Sequence, residues 1–187
     1  MVDIVFDGNV TGSELRVAGA PTNSITVDSA GNVTNPSSVA ANVYLGTLAV
    51  TVTGDGTIYP VVMQEYISGG HIGNAYNLTT GLFTAPVNGT YAFDFALFLD
   101  GIVDLTHFAY VYMTISGNET DLVYTGFPAG STSGVNQVLV AGAVVRYMAA
   151  SDTAQLFLQV SGGAKLVSIW PNATTNLRTW FTGRLLG

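Results

Sequence analysis

Side chains able to do acid–base, nucleophilic or metal chemistry are sparse in this chain of 187 residues. His71 and His107 are its only histidines, cysteine is absent, and Lys165 is the single lysine. Neither histidine stands in a nucleophile or zinc motif. His71 follows Ser68-Gly69-Gly70, the setting of a turn histidine. His107 stands beside Asp104 between two candidate strands, where solvent or an interface is its expected neighbour. Asp100 and Asp104 flank one turn, and Glu119 and Asp121 another. Such loops can offer oxygen ligands to calcium, but EF-hand spacing is missing and solvated loop acids are the expectation. Gly54-Asp55-Gly56 lacks the strand–loop–helix setting of a phosphate cradle and reads as a turn. Asn-x-Thr triplets start at Asn9, Asn32, Asn77, Asn88, Asn118 and Asn172, and they would be glycosylation acceptors in a secreted chain. Asn and Thr are common enough here for coincidence. These residues call for no catalytic centre, no cofactor and no metal, and point away from an enzyme.

The charge balance narrows the partners. Five Lys and Arg oppose twelve Asp and Glu, for a net charge of −7. Charged residues are 9% of the chain and hydrophobic ones 48%, against a usual charged share of about 25%. Disorder needs the opposite composition. A surface that tracks phosphates needs clustered Lys and Arg, so no nucleic acid is expected. No apolar run reaches the roughly 20 residues of a spanning helix, and no membrane partner is expected. The start, Met1 to Asp7, has no basic residue before a long apolar run, so no secretory signal is expected. A chain with so little charge is expected to hide much of its surface against other chains.

The positioning elements read as β throughout. Runs rich in Thr, Val, Tyr and Phe alternate with Gly, Asn, Asp and Ser clusters, and no stretch carries a helical apolar stripe. Strands are expected at Ile25–Val27, Leu45–Thr53, Val61–Tyr66, Gly81–Thr84, Thr90–Leu99, Phe108–Ile115, Gln137–Met148, Ala154–Val160, Lys165–Ile169 and Arg178–Leu186. That pattern is an all-β sandwich or barrel. Residues 1–57, rich in Thr, Ser, Asn, Ala and Val, form a short β-rich N-terminal anchoring segment. Residues 58–187 hold nearly all the aromatics, Trp170 and Trp180 included, and therefore the large core. In Tyr91–Leu99 one face reads Tyr91, Phe93, Phe95, Leu97, Leu99 and the other Ala92, Asp94, Ala96, Phe98. In Phe108–Ile115 neither face is polar, so Tyr110, Val111, Tyr112 and Met113 are candidates for a subunit interface.

Gly81-Leu82-Phe83-Thr84-Ala85-Pro86-Val87-Asn88-Gly89-Thr90-Tyr91-Ala92-Phe93 resembles the G-x-F-x-A-P-x-x-G-x-Y-x-F signature of C1q-like domains, the jelly rolls related to tumour necrosis factor. Phe83, Tyr91 and Phe93 are spaced to set rings on core faces of adjacent strands. Pro86 ends one strand, and Asn88-Gly89 is expected to supply a positive-φ turn to the next. Phe181-Thr182-Gly183-Arg184-Leu185-Leu186 is similar to the family's closing F-S-G-x-L-L, and Ser151-Asp152 stands where the family shows Gly-Asp. The resemblance covers about 58–187. It implies a C1q/TNF-like jelly-roll sandwich and a trimer packed about a threefold axis. It carries over no ligand, because fold does not determine function. No Gly-X-Y period precedes it.

A trimeric, acidic, cysteine-free jelly roll with a Thr/Asn/Ser-rich N-terminal segment fits a virion protein, assembled in a host cytoplasm and expected from a bacterial virus. The leading expectation is a capsid decoration, or cement, protein. Its N-terminal segment would grip the major capsid protein or other virion subunits, and its knob would face outward. The alternative is a tail-fibre or spike tip that stacks a host glycan on Tyr124 and Phe127, near Gly126 and Pro128. A cellular C1q-like lectin or adhesin is the third reading.

Overall fold

The structure is a computed structural model describing residues 13–15, 25–27, 33–34, 39–102, 108–126, 136–172 and 178–186. Every element among them is a strand. The chain divides into two units, Met1–Ser38 and Val39–Gly187. In the first, β1 (Ser13–Leu15), β2 (Ile25–Val27) and β3 (Val33–Thr34) form an antiparallel sheet in the order β1-β2-β3.

The second unit is a two-sheet sandwich. Its larger sheet is built on β9 (Gly89–Asp100). One edge of β9 pairs along its whole length with β12 (Gln137–Met148). The other edge takes β15 (Trp180–Leu185) and, past it, β14 (Val167–Ile169). Then β4 (Ala40–Tyr44) joins β15, β5 (Ala49–Thr53) joins β14, and β7 (Glu65–Ile72) joins β4. The second sheet runs β11 (Asn118–Gly126), β10 (Phe108–Ile115), β13 (Thr153–Ser161), with β6 (Ile58–Pro60) and β8 (Phe83–Thr84) on the far edge of β13. All pairings are antiparallel, so each strand can keep one face dry and one outward.

The alternation read in β9 is what the sandwich uses. Tyr91, Phe93, Phe95, Leu97 and Leu99 are buried against Val111 and Met113 of β10, Leu156 and Leu158 of β13 and Phe181 of β15 in one apolar cluster. Each such side chain contributes about 1.5–3 kcal/mol by leaving water. Tyr91 keeps its hydroxyl satisfied by donating to the Val87 carbonyl at 2.8 Å.

Several readings need correction. The boundary expected at 57/58 lies at 38/39, because β4 and β5 are integral to the larger sheet. Asn88-Gly89 is not a positive-φ hairpin turn. β8 pairs with β13 and β9 lies in the other sheet, so Ala85–Asn88 carries the chain between sheets. Gly69-Gly70 is not a turn between strands but lies inside β7, where the register to β4 shifts. The strand expected at Val61–Tyr66 begins only at Glu65, although Val61 and Met63 are buried. Glu119 and Asp121 are on β11, an edge strand rather than a loop.

Ser151 is where the family resemblance has glycine, and here it holds φ at 76°. That conformation costs a residue with a Cβ about 1–2 kcal/mol. Its N–H still donates to the Ala85 carbonyl at 2.7 Å, a bond that glycine would keep. Ser151→Gly is therefore expected to stabilise the fold by about 0.5–1 kcal/mol after the extra unfolded-state entropy is deducted. In a thermal melt this is a rise of about 2 °C; an unchanged or lower midpoint contradicts the reading. The next residue shows why the turn forms: Asp152 accepts from the Ser116 hydroxyl and the Ala149 N–H, each at 2.8 Å. Those bonds, the Ser116 hydroxyl first, hold its carboxyl below the ordinary aspartate range.

Candidate subunit interface

The motif residues fill the inner side of the sheet whose outer face matters. Phe83 meets Tyr91 and Phe93 edge-on, with centroids 5.6 and 5.1 Å apart, and Phe93 stacks with Phe181 at 5.9 Å. Gly183, paired opposite Phe93, explains the closing motif: a Cβ there would stand 2.9 Å from two atoms of the Phe83 ring. Gly81 has φ 74°, and a Cβ on it would meet the Val61 carbonyl oxygen at 2.8 Å. Pro86 is exposed in the crossing segment, Gly89 is buried at the start of β9, and Leu185 packs against the cluster from the end of β15. β9 and the closing strand are direct neighbours, with Phe181 opposite Phe95 and Leu185 opposite Tyr91.

With that face of the sheet filled, the other is left outside, and along β12 it is apolar. Along β12 the outward positions are Leu139, Ala141, Ala143, Val145 and Tyr147, all exposed. Leu139, Val145 and Tyr147 expose 57%, 52% and 66% of their surface. β9 continues the face with half-buried Phe98 and with Ala92 and Ala96, which are buried within the chain, and β15 adds half-buried Trp180. In the middle, Asp94 accepts from Arg184 at 2.9 Å, a surface ion pair of modest energy. Among the described residues β12 pairs only with β9, so it is an edge strand as well.

The interface residues named from β10 divide by face. Val111 and Met113 are fully buried in the chain's own core, because their parity turns them, with Leu158 and Leu156 paired beside them on β13, toward the larger sheet, and they are withdrawn as interface candidates. Tyr110 and Tyr112 take the other face. Tyr110 stacks with Phe108 at 6.1 Å, and Tyr112 stacks with Phe157 at 5.3 Å and is 8% exposed. Sequence reasoning missed the β12 face. Its signal was present in Leu139-x-Ala141-x-Ala143-x-Val145-x-Tyr147, but the intervening Val138, Val140 and Val144 made both faces look like core.

At one end of this face, Arg178 lies over the rings of Phe98 and Trp170, 5.3 and 5.8 Å from their centroids. The N–H groups of Arg178 and Thr179 both donate to Asn172 Oδ1, at 2.6 and 2.9 Å, which fixes the approach to β15. Among the described residues the buried amide nitrogen of Asn172 has no partner.

The remaining candidates do not converge. His71, near the end of β7 rather than in a turn, packs against Tyr66 with ring centroids 3.9 Å apart and planes tilted by 32°, and shares a 2.8 Å hydrogen bond with Asn74 Oδ1. Asp100 closes β9. Tyr124 and Gly126 belong to β11, while Asp104, His107, Phe127 and Pro128 lie outside the described residues. Among the described residues no group of three His, Asp or Glu could hold a metal ion. A hollow lined by Val61, Met63, Tyr76, Gly81, Leu156 and Phe181 leaves no room for a water molecule.

The sandwich is a C1q/TNF-like jelly roll. It is similar to the globular domain of zebrafish complement 1qA protein, with 17% identity and a TM-score of 0.50 over 80% of this chain and 98% of that one. It is also similar to the Eiger TNF from S. frugiperda, with 15% identity and a TM-score of 0.52 over 80% of this chain and 93% of that one. No protein-family model and no curated protein matches the sequence.

Proposed function

We propose that the chain is a non-enzymatic, homotrimeric structural protein of a virion, a capsid decoration protein whose jelly-roll knob faces outward. The observation that carries the trimer is the exposed row on β12 with its continuation on β9. A row of five apolar residues on a sheet face marks an interaction surface rather than ordinary solvent-facing scatter. The low charge of the chain agrees with it, since covered faces need no charge. In C1q- and TNF-type jelly rolls such covering is by copies of the same chain about a threefold axis, and that arrangement is adopted here. The first unit, Met1–Ser38, serves as the shell-binding arm. Three arms on one trimer multiply modest contacts into firm attachment.

Two measurements test the reading. Light scattering on the purified chain is expected to give the mass of three 19.5 kDa chains; a monomer at every concentration removes the trimer. Quantitative mass spectrometry of purified particles is expected to find hundreds of copies per virion. A few dozen or fewer would favour a fibre or spike tip, and absence from particles would end the virion reading.

A further inference from the structure

We propose that Arg178 of one chain pairs with Asp100 of a neighbouring copy, setting the register of the trimer; the proposal rests on the trimer reading above. Both residues are on the outer face of the large sheet. Asp100 is two positions beyond Phe98 on the same face of β9, and Arg178 lies over the Phe98 ring from the approach to β15. Both are partly buried. Among the described residues, neither side chain has a hydrogen-bond or ion-pair partner, whereas Arg184 and Asp94 on the same face are paired at 2.9 Å.

The chemistry of that arrangement favours a carboxylate arriving from outside the chain. Phe98 and Trp170 lie beside the guanidinium and restrain it. A guanidinium keeps its five N–H donors in a fixed planar fork that matches a carboxylate. Leu139 is paired opposite Phe98, so the two charges adjoin the apolar row that a neighbouring copy is proposed to cover. Covering a charge without a partner is strongly unfavourable, and the cover must therefore bring one. Close to a threefold axis the equivalent regions of successive copies converge, so an acid and a base that flank one ring without pairing within a chain can pair between chains. Three such pairs would offset part of the mutual repulsion of copies that each carry −7.

Sedimentation velocity over a concentration series tests this on the full chain. Arg178→Glu and Asp100→Arg are each expected to weaken the trimer about tenfold or more, and the double variant to restore it to within about threefold. Arg178→Gln and Asp100→Asn, which add no repulsion, are expected to weaken it less, and they provide the same comparison if a reversal fails to fold. A double variant no tighter than the singles, or single variants as trimeric as the parent, overturns the pair while leaving the trimer standing. A parent chain that never trimerises overturns the reading beneath it instead.

Discussion

Phe93→Ala is expected to lower the unfolding free energy by about 4 kcal/mol. Phe93 is fully buried, and its ring meets Phe83, Tyr91 and Phe181 with centroids 5.1, 6.4 and 5.9 Å away. Truncation removes the transfer energy of the ring and leaves a void between the sheets. The neighbours cannot collapse into it, because Phe83 is held edge-on by Tyr91 and packs directly over Gly183. The aromatic contacts themselves contribute about 0.5–1.5 kcal/mol each beyond area. A domain of this size has only about 5–15 kcal/mol in total, so the variant loses a large share of it. Urea unfolding followed by circular dichroism, at matched protein concentration, reads the shift. Phe98→Ala, on the outer face of the same strand, is the control; with both variants made in the Leu139→Glu/Val145→Glu background, where no contact between copies contributes, it should cost about 1 kcal/mol or less. Equal losses at 93 and 98 would mean that the two faces of β9 are assigned wrongly.

Leu139→Glu combined with Val145→Glu is expected to convert the proposed trimer to monomer while leaving the sandwich folded. Both side chains are more than half exposed within one chain, and surface substitutions of this kind usually change stability by about 0.5 kcal/mol or less. Covered by a neighbour, each aliphatic side chain would contribute about 1.5–3 kcal/mol. Replacing both puts two unpaired carboxylates per chain into a dry contact, already between acidic copies. The trimer's apparent dissociation constant should rise about 100-fold or more. Light scattering at low micromolar concentration, beside an unchanged far-ultraviolet spectrum, reads both halves of the prediction. A trimer of parental tightness would show that the β12 face is not where the copies meet.

Much of the scaffold was legible from residue order because period-two alternation survives wherever one face of a strand is dry. Phe108–Ile115 and Gln137–Met148 have the bounds expected of them, and the two faces of β9 are those read from its letters. The strand β4 was not legible: Ala40, Ala41 and Asn42 have weak strand preference, and only pairing to β15 on one side and β7 on the other makes them a strand. Nor was β11, whose Glu119 and Asp121 look like loop acids but are tolerated on a sheet edge.

The candidate interface marks the same limit more sharply. In β10 and β12 alike, both faces are apolar in the letters, and letters cannot say which face the second sheet covers. Composition and periodicity alone determined an all-β chain poor in charge, and the motif resemblance added a particular jelly roll. Only the tertiary structure decided that Val111 and Met113 face inward while Leu139, Val145 and Tyr147 face out, because facing is set by the neighbouring sheet and not by the strand itself.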